Sequence, residues 1–212
     1  MHDSQDSNPN FSRSHDKTST PLDEAGFHQN PVGPQLQNAS TLNAVSACQS
    51  NLLATALLRV EASNGNSFVA RALLDWGATT SFVTLKVAKQ LGLDLTPVNV
   101  AVSGIQGVST GPALGMVDFA IKATKNGDGR FTMNISALVL SKLTSLIPQR
   151  PVKVKPWTHI AGLPLADPNY FVPGEIDIIL GIDVCGMLIL EKSKRGGEDE
   201  PIARQTPLGL VH

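Results

Sequence analysis

An aspartate at the end of an apolar segment is the residue in this sequence best suited to catalysis. Asp75 follows a run of apolar residues and precedes the small residues Gly77 and Ala78, within the segment LLDWGATTSF. A carboxylate at the end of a buried strand is costly to ionise alone, but a second carboxylate nearby can share one proton with it. Such a pair can remove a proton from water and can protonate a leaving amide. The same pattern also fits an ordinary turn, since aspartate and glycine are both frequent at the ends of strands.

The other reactive side chains of the sequence do not form a comparable arrangement. His159 stands near Trp157 in a proline-rich stretch, without partners at the spacing of a metal site or a nucleophilic triad, and we predict a structural role for it. The two cysteines, Cys48 and Cys185, are too few for a disulfide framework or a four-ligand zinc site. The other histidines lie in the N-terminal segment or at the last position: His2, His15, His28 and His212. We therefore expect no metal and no cofactor.

The segments around Asp75 predict short strands joined by tight turns. Residues 52–62 and 67–74 are apolar and flank Asn64-Gly65, the dipeptide most favoured in two-residue hairpin turns. Further strands are predicted at residues 81–83, 98–102, 117–123, 130–140 and 176–180. Residues 141–174 contain recurring prolines and are predicted as a long ordered loop or insertion. Many short strands with few helices predict a mainly-β barrel or sandwich.

Two short helices complete the prediction. Residues 85–91 have helical spacing, with Thr84 as the expected N-cap and Gly92 placed to end the helix. A second helix is expected to run through Leu188, with Asp183 as its N-cap.

Composition divides the chain near residue 48. The sequence has 212 residues, of which 42% are hydrophobic. Residues 1–48 are polar and carry five acidic side chains against two basic ones, so we predict a disordered polar tail. Residues 49–195 are predicted as the folded domain, and residues 196–212 as a C-terminal extension.

Charge and hydropathy exclude several classes of function. The net charge of −1, with no basic block, argues against direct binding of nucleic acid. No apolar run reaches the ~18 residues of a membrane-spanning helix, so we expect no membrane partner. The N-terminal residues lack the basic start and apolar stretch of a secretory signal. We therefore expect an intracellular, cytoplasmic setting with reduced thiols.

Two segments of the sequence resemble retroviral-type aspartic proteases. Residues 71–93 (RALLDWGATTSFVTLKVAKQLGL) match the first active-site segment of that family: an apolar strand, Asp-x-Gly-Ala, a second apolar strand and a short helix. Residues 177–183 (DIILGID) resemble its second hallmark, an apolar pair before a glycine that leads into the C-terminal helix. The likeness extends to the protease region of BEL/Pao-type retrotransposon polyproteins through ALVLSKLTSLIPQRPV, HIAGLPLADPNYFVPGEIDIILGIDV and PIARQTPLGLVH.

The resemblance implies a fold, a reaction and a partner. The fold would be a closed pepsin/retropepsin-like β barrel with one or two short helices. Asp75 would be the catalytic aspartate of an endopeptidase acting on a polypeptide, in an active-site loop with Trp76, Gly77 and Ala78. One chain supplies one such loop, so the resemblance also implies a homodimer. The glycine-rich residues 102–115 would form a flap that closes over the substrate. The candidate flap residues are Gly104, Ile105 and Gly107.

Two departures from the family pattern leave a second hypothesis open. The family usually carries Ser or Thr between Asp and Gly, and its hydroxyl braces the two loops of the dimer. Here the residue is Trp76, whose indole N–H donates a hydrogen bond but accepts none, so Ser or Thr at this position would restore the brace. The chain also stops where the resembling polyproteins continue. The alternative to an active protease is therefore an inactive retropepsin-like module, from a degenerate or truncated transposon copy, that dimerises or binds peptides.

Overall fold

The computed structural model describes residues 52–104, 109–153, 157–198 and 200–212. These residues form short strands and two seven-residue helices, α1 (Leu85–Leu91) and α2 (Ile182–Leu188). The predicted tail, residues 1–48, lies outside the described part of the chain. Neither helix of the described ranges has the length and apolar character that a bilayer crossing requires.

Six strands close into a barrel in the order β1-β2-β8-β3-β7-β6. The strands are β1 (Thr55–Glu61), β2 (Ser67–Leu74), β3 (Phe82–Thr84), β6 (Gly115–Ala123), β7 (Thr132–Leu140) and β8 (Ile178–Leu180). Alternate residues of β1 and β6 point inward and are buried, as a two-residue period requires. The interior is aliphatic, formed by Leu58, Val60, Val83, Ile121, Val139, Ile178 and Leu180 among others. The predicted mainly-β, closed pepsin/retropepsin-like barrel is therefore confirmed.

The hairpin predicted at Asn64-Gly65 joins β1 to β2. Its strands pair antiparallel from Thr55↔Leu73 to Glu61↔Ser67. Gly65 has φ +87°, a left-handed conformation that glycine adopts without a steric penalty. The Asn64 side chain accepts a 2.9 Å hydrogen bond from the backbone N–H of Asn66, which closes the turn locally. This hairpin sets the register of β2 and so the position of Asp75, one residue beyond its end.

The two helices begin in different ways. Thr84 caps α1, because its hydroxyl accepts a 3.3 Å hydrogen bond from Val87 N–H, and Gly92 ends the helix at φ +69°. The prediction that Asp183 caps α2 is wrong. Gly181 occupies the N-cap without a side-chain bond, and Asp183 lies inside the first turn. Its carboxylate is bound by a distant hydroxyl instead, and its negative charge suits the helix N-terminus.

A separate two-stranded hairpin occupies the place predicted for the flap. Strands β4 (Ala101–Ser103) and β5 (Ser109–Pro112) pair antiparallel, with a register irregularity after Val102. The strand predicted at residues 98–102 is thus shifted toward the glycine-rich segment. Gly104 follows β4 and is exposed. Ile105 and Gly107, the other two flap candidates, lie outside the described residues.

The described part of residues 141–174 contains no helix or strand, as predicted, and it packs on the barrel through a buried ion pair. Arg71 Nε in β2 donates to Asp167 Oδ2 at 2.7 Å, and Thr55 Oγ1 donates to the same oxygen at 2.7 Å. The Arg71 and Asp167 side chains are only 11% and 1% exposed. Two buried charges this close stabilise one another only when they are also hydrogen-bonded, as they are here.

The residues predicted as a C-terminal extension, 196–212, form a small sheet together with a short strand just before them. Its strands are β9 (Ser193–Lys194), β10 (Ala203–Thr206) and β11 (Gly209–Val211), in the order β11-β10-β9. Leu208 and Val211 are buried in the main core cluster. The sheet therefore contributes to the same core as the barrel.

Candidate active site

Asp75 lies where β2 leaves the barrel. Its backbone N–H donates a 2.9 Å hydrogen bond to the Leu180 carbonyl, which extends the parallel pairing of β2 with β8 by one residue. Leu74 before it is buried, Asp75 is partly exposed, and Trp76 after it is exposed. The carboxylate thus lies at the boundary between a rigid apolar strand and solvent, where a substrate can reach it.

A local turn orients the Asp75 carboxylate. Gly77 N–H donates to Asp75 Oδ1 at 2.8 Å, and Ala78 N–H donates to the Asp75 carbonyl at 3.3 Å. A Cβ on Gly77 would lie 3.2 Å from the same Oδ1 atom, tighter than most such contacts. A larger residue at this position would therefore have to displace the carboxylate by a few tenths of an ångström.

The loop of residues 75–81 is bound at its far end to the start of α2. Ile182 N–H donates to the Ala78 carbonyl at 2.9 Å. The Ser81 hydroxyl, fully buried, donates to Asp183 Oδ1 at 3.0 Å and accepts from Gly181 N–H at 3.1 Å. Together with the Asp75–Leu180 bond, these contacts fix both ends of the loop and leave little freedom in the direction of the carboxylate.

Gly181 permits the close approach of the two segments. A Cβ at this position would lie 2.4 Å from the Thr80 carbonyl oxygen, a distance that real Cβ atoms do not adopt. The glycine of the DIILGID segment thus has a steric reason in this fold: only a residue without a side chain lets the loop after Asp75 lie against the start of α2.

Cys185 lies beneath the Asp75 loop as a buried thiol. Its Sγ donates to the Leu180 carbonyl at 3.1 Å. Burial raises the pKa of the thiol to about 11; a hydrogen bond with the Asp75 backbone opposes this shift, and the charges of Asp75 and Asp183 add to it. The thiol is therefore neutral near pH 7, as expected of a small buried hydrophobe rather than a nucleophile.

The remaining sequence candidates lie away from Asp75. His159 Nε2 is 2.8 Å from the Pro201 carbonyl, and its Nδ1 is 3.3 Å from Glu200 Oε2. These contacts join the proline-rich segment to the residues before β10, which agrees with a structural role. The His212 ring packs edge-on against Tyr170, with centroids 4.0 Å apart. Within the described ranges, no three His, Cys, Asp or Glu side chains come together as potential metal ligands.

Ser81 is the site residue that sequence reasoning missed. The sequence places it at the start of the apolar segment SFV, where a serine has many ordinary roles. Its partners, Gly181 and Asp183, lie about one hundred residues later, so only the pairing of β3 with β8 brings them together. The only available signal was a polar residue directly before an apolar strand, since a polar group buried at such a position requires partners.

Comparison with known proteins agrees with this geometry. The sequence profile of the aspartyl protease family matches residues 59–184, more than half of the chain. The matched region runs from β1 to α2 and includes both the Asp75 loop and Gly181. No curated protein matches the chain. Both segments expected from the sequence thus lie side by side in a closed barrel and within the matched region, and the chain belongs to the aspartyl protease family.

Proposed function

We propose that this chain is an aspartic endopeptidase that acts as a homodimer on a polypeptide substrate. The observation that carries the proposal is the Asp75 carboxylate, partly exposed and oriented by Gly77 N–H on a loop bound at both ends. The loop of residues 75–81 contains one acidic side chain, and the nearby Asp183 carboxylate is bound by Ser81. A second copy would supply the second carboxylate.

The reaction follows from two carboxylates that share one proton. The ionised Asp75 removes a proton from water while the water oxygen attacks the scissile carbonyl carbon. The protonated Asp75 of the other copy then supplies the proton that the leaving amine requires as the C–N bond breaks. Two carboxylates ~3 Å apart do not both ionise readily, so their titrations separate and the singly protonated pair is the active form.

The substrate setting is part of the same proposal. The segments that resemble BEL/Pao-type retrotransposon polyproteins support a polyprotein substrate, cleaved in an intracellular, cytoplasmic setting. The β4–β5 hairpin supports a flap over this substrate, because its place in the chain matches the glycine-rich candidate segment. Gly104, Ile105 and Gly107 remain the proposed flap residues.

One observation favours a second function, an inactive domain that only dimerises or binds peptides. Trp76 occupies the position between Asp and Gly and is exposed, where the resembling family carries a hydroxyl. An indole cannot accept the hydrogen bond that a Ser or Thr brace would make. This observation leaves Asp75 itself intact, so the endopeptidase is the better-supported function.

A peptide library tests the two functions against each other. The wild-type chain and Asp75→Asn are incubated with the library between about pH 3 and pH 8, and products are identified by mass spectrometry. We expect cleavage by the wild type with a bell-shaped profile and an acidic maximum, at about pH 4–6. Asp75→Asn retains the shape of the side chain and should keep the fold while losing cleavage. Absence of cleavage by the wild type, in a chain that dimerises, would favour the inactive module.

A further inference from the structure

Trp76 is a large apolar side chain in the most exposed part of the Asp75 loop. It is 48% exposed, although the backbone on either side of it is fixed by the hydrogen bonds of Asp75 and Gly77. The backbone at Trp76 is therefore already ordered, which lowers the entropy cost of burying this side chain against a partner.

The proposed reaction fixes where Trp76 must lie in a dimer. Two Asp75 carboxylates that share a proton lie ~3 Å apart across a two-fold axis. Adjacent Cα atoms in a chain are about 3.8 Å apart, so the residue after Asp75 lies within a side-chain length of the axis. In a symmetric dimer, residues near the axis meet their own counterparts. Trp76 of one copy is therefore within reach of the active-site loop of the other.

The surface beside the Asp75 loop is also apolar. Ile182, whose N–H is bonded to the loop at Ala78, is 52% exposed. The other side of α2 is buried in the barrel core through Val184, Cys185 and Leu188. Half-exposed side chains of this size offer on the order of 100 Å² each, enough for the centre of an interface but not for the ~800 Å² per partner of a whole one.

We propose that Trp76, with Ile182, forms an apolar brace that packs against the same residues of a second copy and holds the two Asp75 loops together. This inference rests on the proposed homodimeric protease. In place of the hydrogen bonds that a Ser or Thr hydroxyl would make, this chain uses buried apolar area at the two-fold axis. Trp76 then stabilises the dimer instead of weakening it.

Tryptophan fluorescence tests the brace directly, because the chain contains only Trp76 and Trp157. In full-length Trp157→Phe, Trp76 is the single reporter, and dilution through the dissociation range should shift its emission to longer wavelength as water reaches the indole. The matched control is Trp76→Phe, in which Trp157 reports alone. Trp157 packs on Tyr170 within the proline-rich segment of residues 141–174, with ring centroids 6.3 Å apart. Its emission should therefore not change on dilution.

Substitutions at Trp76 provide the second measurement. Sedimentation equilibrium should give a dimer dissociation constant about tenfold or more weaker for Trp76→Ala than for wild type, as for an interface anchor. Trp76→Phe should retain most of the affinity because it keeps an aromatic ring. Trp76→Thr should behave like Trp76→Ala. Tighter dimerisation by Trp76→Thr would overturn the brace, because it would show that a hydroxyl is the better contact.

The failure of this inference is distinguishable from the failure of the proposed function. A chain that dimerises and cleaves peptides, with Trp76 emission independent of concentration and an unchanged dissociation constant in Trp76→Ala, would overturn the brace alone. A Trp76 emission that responds to added peptide and not to dilution would also overturn it, because the residue would then contact substrate. A chain that stays monomeric at every concentration would overturn both.

Discussion

Ser81 shows how one buried hydroxyl positions the Asp75 loop. It donates to Asp183 and accepts from Gly181 N–H, so it joins the end of the Asp75 loop to the start of α2. Because the residue is fully buried, water does not replace these bonds when the hydroxyl is removed. Ser81 does not touch the reacting atoms and acts only through the loop that it holds.

Replacing Ser81 by Ala should therefore lower both stability and turnover. We expect a loss of about 1–3 kcal/mol in the free energy of unfolding, because Gly181 N–H and the Asp183 carboxylate lose their partner. The fall in peptidase activity should be mainly in kcat, with little change in KM. Ser136→Ala is the matched control, since Ser136 donates to Asp118 on the exposed face of the barrel. An equal effect of the two substitutions would contradict the assigned role.

The Cys185 thiol predicts how stability changes at alkaline pH. Its pKa is raised from 9.0 to about 11 by burial, so between these values the unfolded chain releases a proton that the folded chain retains. Stability conferred by the neutral thiol is thus full below about pH 9 and is lost as the pH rises toward about 11. Urea titrations should show a loss of roughly 1–2 kcal/mol across this range that is absent in Cys185→Ala. Parallel pH profiles for the two chains would refute this linkage.

Among the secondary-structure elements, the approach of the loop before β3 to α2 depends on Gly181. An added methyl group there meets the Thr80 carbonyl, a backbone atom that cannot rotate away. Gly181→Ala should cost about 1–3 kcal/mol in the free energy of unfolding and should reduce peptidase activity by displacing the loop. Gly186→Ala, on the same helix, adds a methyl group with nothing within 4 Å. Gly186→Ala should leave the free energy of unfolding unchanged or raise it by up to about 1 kcal/mol. Equal destabilisation by both would show that packing at Gly181 is not the cause.

Asp167 connects the proline-rich segment of residues 141–174 to the barrel. Asp167→Asn removes the charge that pairs with the buried Arg71 guanidinium, and we expect a loss of about 3 kcal/mol or more, measured by urea unfolding. The matched control is Glu175→Gln, which removes the partner of Lys86 in an ion pair whose side chains are 65% and 71% exposed. An exposed pair contributes little, so this variant should lie within about 1 kcal/mol of wild type. A similar loss in both variants would contradict the importance of burial.

Sequence reasoning succeeded for elements defined by local patterns and failed for those defined by distant contacts. The β1–β2 hairpin follows from Asn64-Gly65 between two apolar runs, and α1 follows from Thr84 and Gly92. The sheet β9-β10-β11 was not predicted, because its strands are two to four residues long and have no strong alternation. The N-cap assigned to Asp183 failed for the same reason: its hydrogen-bond donor, Ser81, is remote in sequence. Asp75 was identifiable because the strand end and the small residues after it are adjacent in the chain.

For the molecule as a whole, we propose that one copy holds half of an active site. The loop of residues 75–81 provides a single carboxylate, and the proposed reaction requires two that share a proton. The apolar surface beside this loop, at Trp76 and Ile182, is available to the second copy that would complete the pair. The same loop would then serve both catalysis and dimerisation, and Trp76, exposed in one copy, would be buried in the dimer.

Mixing active and inactive chains tests this claim most directly. Wild-type and Asp75→Asn chains are combined at a fixed total concentration above the dimer dissociation constant and incubated until the subunits have exchanged. If both copies must supply Asp75, only wild-type pairs cleave, and activity follows the square of the wild-type fraction. An equal mixture should then retain about one quarter of the wild-type rate. A linear dependence, with about one half of the rate retained, would show that each copy acts alone and would contradict the shared site.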